Sequence, residues 1–374
     1  MGQIYSRCFG SGASGGEGRA AAYKADDGDI DGSSSQQQTG GAKQYSWDRA
    51  EKVDPTKYSF DGIEGDSVCK LPGQIGGQSF TISNCKNSFI YLLDTVASVT
   101  VDDCVDCHIL IGPCKGSVFV RDCRDCQLQI ACQQFRTRDC ADLTVFLFCQ
   151  TQPIIEESKQ IRFSCLQLYY EGMAEHIKAA EMRVFNNQWS KVHDFTPSSG
   201  NCSCLPEDSV PWSSSENDGA KKDDKPLPVA ISNAREQSLI PLTLGFRPTV
   251  SKKISFAMAF SDKDGGSSQL RAKCLKLVRD VQNEANRLVL AKEIPMEETD
   301  LTRILESADF KDRLDNGPVI GMEWCGEEIA DRLPAAAETA FGSADAPFYV
   351  CVDAKKAKEQ LAKFYSCADM KLAG

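Results

Sequence analysis

A chain of 374 residues, 41% of them hydrophobic, has material for roughly two domains with real cores. Its net charge of −11 excludes nucleic acid as the main partner, because a phosphate backbone calls for a basic surface. No apolar stretch near the start fits a signal peptide, and no run of about 18 apolar residues fits a membrane helix, so the cysteines are read as reduced thiols in the cytosol, buried as small hydrophobes.

In chain order, the N-terminus reads Met-Gly-Gln-Ile-Tyr-Ser, which fits the myristoylation pattern with Gly2 as acceptor. One such chain anchors only marginally, so a second signal is needed, and Cys8 is the nearby thiol that could take a palmitoyl group. Residues 9–43 are rich in Gly, Ser, Gln and Ala and read as a low-complexity linker, with no Gly-Lys-Ser/Thr to make a phosphate loop. Order is expected from about Tyr45 and Trp47.

The pairs Cys104/Cys107 and Cys123/Cys126 have the spacing of a zinc ribbon. A longer period accounts for them better. FTISNC ends at Cys85, VTVDDC at Cys104, VFVRDC at Cys123 and FRTRDC at Cys140, with a later echo, IRFSC, at Cys165. Each run alternates apolar and polar residues as strands do, and each Cys is followed by a second short strand. A period near 20 residues with short strands in each unit predicts a solenoid, whose coils bury a core only by stacking. The period continues where the second Cys is replaced by Ser88 or Leu143, so the thiols are predicted as an inward ladder and no metal is expected.

Within ACQQFRTRDC, alternation directs Gln134, Arg136 and Arg138 to one side and Phe135 and Thr137 to the other. Two readings stand for this row: a solvated face whose cations pair with Asp122 or Asp139, or a surface whose guanidinium forks recognise phosphate oxygens.

After Tyr170, EGMAEHIKAAEMRVFNN predicts a helix followed by a strand, 200–226 a long polar loop, and 227–250 a segment packed on the first domain. From Lys252, strand and helix patterns alternate four times, predicting an α/β sandwich of ferredoxin-like type. The expected division is 1–43 tail, 44–210 solenoid, 211–250 connection and 251–374 α/β domain. The three histidines, His108, His176 and His193, sit in no catalytic motif, and His193 reads as a structural hydrogen-bonder.

The strings KQYSWDRAEKVDPTKYSF, GPCKGSVF, ACQQFRTRDC, TQPIIE and FNNQWSKVHDFTP resemble the tubulin cofactor C family over about residues 43–210. A looser likeness runs to the end, with NGPVIGMEW its best-preserved phrase. The resemblance implies a mainly β, right-handed parallel β-helix followed by a domain similar to nucleoside diphosphate kinase. It implies a GTPase-activating protein, a regulator and not itself an enzyme, for the small GTPase Arf-like three. Arg136 would be the arginine finger, and Gln133, Gln134, Arg138, Glu156 and Phe195 would contact the partner. GTP and Mg²⁺ would belong to that GTPase, leaving this chain without a cofactor of its own. A monomer is expected, acting at the cytoplasmic face of the plasma membrane and in the region of the cilium or basal body, in traffic of lipidated proteins. The alternative is a non-catalytic effector of the GTP state, or a tubulin-cofactor-like scaffold, using the same face. The family's acylated Cys directly follows the initial Gly; Gln3 stands there in this chain. A nucleoside diphosphate kinase works through a phosphorylated His, and 252–374 contains none, so the expected role of that domain is binding or structure.

Overall fold

The structure is a computed structural model that describes residues 55–212, 229–247, 253–263, 265–307, 309–342 and 347–372. The sites expected at Gly2 and Cys8, the linker and the onset of order at Tyr45 and Trp47 lie outside the described residues. From Asp54 onward the chain forms one compact unit.

Its first half is a stack of parallel coils. One ladder runs through Ser59–Asp61, Phe80–Ser83, Val99–Asp102, the second half of His108–Arg121, the second half of Gln127–Arg138, Ile154–Glu156 and His193–Asp194. A second ladder runs through Ser67–Lys70, Phe89–Leu92, the first halves of those two long strands, Thr144–Cys149, Ile161–Cys165 and Cys202–Cys204. On the remaining side, Val96, Cys114, Cys132 and Cys149 stack in register. The predicted solenoid is therefore present, and its repeat is a coil of parallel β-structure.

Acidic and amide residues make the corners. Asn84 (φ 55°), Asp103 (φ 51°), Asp122 (φ 52°) and Asp139 (φ 53°) are left-handed, and so are Asn87 (φ 45°), Asp106 (φ 54°), Asp125 (φ 56°) and Asp142 (φ 56°). Asn and Asp tolerate this conformation because their short polar side chains can bond locally. In the first coil Gly62 and Gly65 take the same two places. Two left-handed residues three apart bend the chain twice, and the residue just after the first bend, Cys85, Cys104, Cys123 or Cys140, is turned into the core. The intervening Val105, Arg124, Ala141 and Lys159 donate their N–H groups to the carbonyls of those cysteines one coil before, at 2.9–3.0 Å. This is the physical origin of the Cys-x-x-Cys spacing. Ser88 and Leu143 replace the second Cys at equally buried positions. Dry surroundings push the Cys114 thiol up to about 11 and that of Cys132 well above its ordinary range, which keeps both protonated as apolar packing groups. Among the described residues no group of three or more His, Cys, Asp or Glu side chains is arranged to hold a metal ion.

The outward side of the second ladder is apolar and covered. Tyr91, Leu110, Ala131, Phe146 and Phe148 share a core with helix α1 (Met173–Ala179), Phe185 and Ile240. The strand expected after α1 is absent: 182–191 is irregular backbone. Its N–H groups find both backbone and side-chain acceptors, and its Asn side chains satisfy groups of the strands it crosses. Asn187 accepts from the Cys149 and Trp189 N–H groups, and Asn186 bonds both the carbonyl (2.9 Å) and the N–H (2.6 Å) of Glu293.

The last part carries four antiparallel strands, in spatial order Asn286–Ile294, Val319–Gly326, Ile254–Ala259, Phe348–Cys351. Helices α2 (Gly266–Val281) and α4 (Ile329–Phe341) cover one side, in the core shared with the solenoid. Helices α3 (Glu298–Leu305) and α5 (Ala354–Leu372) cover the other. Strand and helix alternate through this part, with α3 between Asn286–Ile294 and Val319–Gly326, so that helices lie on both faces of the sheet. Gly321 is required there, since a Cβ would lie 2.2 Å from the Phe364 ring of α5. The segment 229–247 joins the two halves: Ile231 pairs with Tyr170 of the solenoid, while Leu244 and Gly245 donate N–H groups to Leu288 and Val289 of the sheet.

Candidate functional site

With one outward side of the solenoid buried, the outward side of the first ladder stays open. Strand Gln127–Arg138 crosses it with the predicted alternation: Phe135 and Thr137 are buried, Gln134 and Arg136 half-buried, Arg138 exposed. Parallel register then stacks residues from successive coils. Arg136 lies between Phe119 and Ile154, and His193 follows Ile154. In the neighbouring file Asp102, Arg121, Arg138 and Glu156 succeed one another. The Phe195 N–H donates to the Ile155 carbonyl at 2.9 Å, which places Phe195 beside Glu156, and its ring is 56% exposed.

The structure thus gathers Gln134, Arg136, Arg138, Glu156 and Phe195 on one face. Gln133 departs from the group, as it sits at the corner and lines a separate open groove of about 450 Å³ with Gln150, Lys178, Arg183 and Arg271.

The arginines differ in their partners. Arg121 holds Asp102 with two bonds, Nε at 2.7 Å and Nη2 at 2.6 Å, and this contact keeps its guanidinium above its ordinary pKa. Arg138 bonds Asp139 at 3.2 Å, and Arg162 approaches Asp142 at 3.6 Å. Arg136 has no such partner among the described residues; its guanidinium lies 5.8 Å from the centre of the Phe119 ring. The solvated-face reading therefore describes Arg138, and it does not describe Arg136. Gln134 is held by Ser117 at 2.8 Å. His193 makes no side-chain hydrogen bond among the described residues; its ring meets Phe195 edge-on at 4.7 Å.

Sequence reasoning missed Phe119, Ile154 and the Asp102–Arg121 pair. The coil period could have found the first and the last, because Phe119 and Arg121 precede Arg136 and Arg138 by one coil. His193 reaches the face after the irregular segment, so no period announces it. What the arrangement offers chemically is a charged fork without a counter-ion among the described residues, mounted on a stacked strand and flanked by apolar contact residues.

A parallel solenoid with a cationic face of this kind defines the class, a tubulin cofactor C-like protein, and the family model for tubulin binding cofactor C matches residues 77–195. Protein XRP2 of Gallus gallus is 41% identical over 342 residues, 88% of this chain and 91% of that protein. Protein XRP2 of Homo sapiens is 41% identical over 341 residues, 88% and 93% of the two chains, and that of Danio rerio 39% over 342, 88% and 86%. This chain belongs to the XRP2 family.

Proposed function

We propose that the protein activates GTP hydrolysis by an Arf-like small GTPase of the Arf-like three type, inserting Arg136 in trans. The observation that carries this reading is Arg136 itself: a half-buried cation on a rigid strand with no carboxylate partner among the described residues, beside Arg121 and Arg138, which each have one. Phosphoryl transfer asks a protein for positioning and charge stabilisation, and an arginine supplied in trans is worth roughly 10³–10⁵ in rate. Gln134, Arg138, Glu156 and Phe195 would contact the GTPase on the same face, with Gln133 at its edge. GTP and Mg²⁺ would be held by the partner, and this chain would need no cofactor. Acylation at Gly2 and Cys8 would tether a monomer to the cytoplasmic face of the plasma membrane, near the cilium or basal body, in traffic of lipidated proteins. The coil is taken as right-handed, and the C-terminal domain as a nucleoside diphosphate kinase-like module without phosphohistidine chemistry, since 252–374 has no His.

A second reading has one observation in its favour. Exposed Phe195 and the neighbouring Ile154 and Phe119 make an apolar contact surface that could serve a non-catalytic effector or a tubulin-binding scaffold. Single-turnover GTP hydrolysis by the Arf-like GTPase separates the two. Acceleration by the wild type, lost in Arg136→Ala with binding to the GTP state retained, supports activation. Tight binding without acceleration, weakened by Arg136→Ala, supports the effector.

A further inference from the structure

Arg136 has no counter-ion among the described residues, yet a finger needs a defined direction. Its neighbours show one source of direction. The Phe119 ring lies one coil below in register, and two guanidiniums share it, Arg136 at 5.8 Å and Arg121 at 5.3 Å from the ring centre. Two cations on one ring repel each other. Here the repulsion is reduced, because Asp102 binds Arg121 through both oxygens. Asp102, Arg121, Phe119 and Arg136 therefore form a chain of contacts that ends in the unpaired charge.

From this geometry we infer that Phe119 is a positioning residue for Arg136, and that Asp102 and Arg121 brace it; the inference rests on the activating role of Arg136. An aromatic platform suits this task. A carboxylate would fix the guanidinium equally well but neutralise it, whereas a ring quadrupole attracts the cation and leaves its charge available to a phosphoryl oxygen. The platform acts through Arg136 and needs no contact with the reacting atoms.

The test uses the full chain and an Arf-like GTPase loaded with GTP. Wild type, Phe119→Leu, Phe119→Trp, Asp102→Asn and Arg136→Ala are compared by maximal single-turnover rate and by the concentration giving half that rate. Alongside, the Arg136 side-chain Nε–Hε resonance is followed in the free protein. Phe119→Leu is expected to lower the maximal rate about three- to thirtyfold, the range a cation–π contact spans. The half-rate concentration should change little and the Arg136 resonance should move. Phe119→Trp should keep the rate near wild type, and Asp102→Asn should lower it, more so at low salt. The inference is overturned if Phe119→Leu keeps the wild-type rate, if Phe119→Trp loses as much as Phe119→Leu, or if only the half-rate concentration responds. A wild type that gives no acceleration overturns the activating role itself and this inference with it. Acceleration that survives Phe119→Leu overturns the inference alone.

Discussion

Arg138 meets the carboxylate of the corner residue Asp139, and Arg121 that of Asp102. Arg136 escapes because its register neighbours are Phe119 and Ile154, which offer no acceptor. Ile154→Glu should end that freedom by setting a carboxylate beside the guanidinium, as Glu156 stands beside Arg138. The expected result is a normally folded protein whose activation of the GTPase falls by at least about tenfold, recovering partly as salt screens the new pair. Unchanged activation at low salt would mean that the charge of Arg136 does not act. A different residue-scale device holds α1 to the solenoid. The Tyr170 hydroxyl meets His176 Nδ1 at 2.9 Å, and His176 Nε2 lies 3.6 Å from Asp94, whose carboxylate accepts from the Ile75, Gly76 and Thr95 N–H groups. Burial lowers the His176 pKa, with Asp94 and Glu175 pulling the other way. The folded value is therefore below the unfolded value of about 6.5, so the unfolded chain takes the proton first. Stability from this group is fully present above about pH 6.5 and declines as pH falls toward the folded value. His176→Gln should flatten the fall in urea midpoint between about pH 6.5 and 5; an unaltered slope would assign that pH dependence elsewhere.

At the scale of elements, the coil corners decide the fold. Asp122 and Asp139 are left-handed, a conformation that costs a β-branched residue roughly 1–2 kcal/mol. Asp122→Val should lower stability by about that amount, Asp122→Asn by much less, and Asp122→Gly by little, in chemical denaturation. Equal loss for Val and Asn would point to the carboxylate and away from the backbone. These corners also show what the sequence made legible. The cysteine period revealed the solenoid, yet the cause of that period is the Asx residue before each Cys and its counterpart three residues on. Alternation along Gln127–Arg138 correctly separated Arg136 from Phe135, because strand geometry fixes side-chain direction locally. Register between coils is non-local, so the pairing of Arg136 with Phe119 was not seen. Alternation already separates Gln134, which Ser117 holds on the row of Arg136, from Gln133, which lines the neighbouring groove. The sequence predicts a strand at the end of EGMAEHIKAAEMRVFNN because its apolar residues, such as Met182 and Phe185, are real core residues. Within 182–191 the Trp189 N–H is met by the Asn187 side chain and the Arg183 N–H by that of Gln150, contacts that no periodicity records. The α/β alternation after Lys252 was legible from helix periods, while the spatial order of the four strands depends on long-range pairing.

Over the whole molecule, the buried side of the solenoid and the C-terminal sandwich share one apolar core. Tyr91, Leu110 and Phe146 belong to it from the coils, and Leu270, Leu277, Met322 and Trp324 from the sandwich. The joint is also polar: Asn186 bonds the backbone of Glu293 in both directions, and Trp189 donates to Thr243 at 3.1 Å. A shared core predicts that neither half unfolds alone, which would keep the coil bearing Arg136 as rigid as the sandwich behind it. Asn186→Ala tests the joint without touching the open face. It leaves the Glu293 N–H and carbonyl buried without this partner, at a cost of about 1–3 kcal/mol for each group left unsatisfied. The urea midpoint should fall, and hydrogen exchange in strands Gln127–Arg138 and Val319–Gly326 should still report one common transition. If the two strands separate into distinct transitions already in the wild type, the halves fold independently and the contacts at Asn186 only dock them. If they separate only in Asn186→Ala, this side chain is what couples the solenoid to the sandwich.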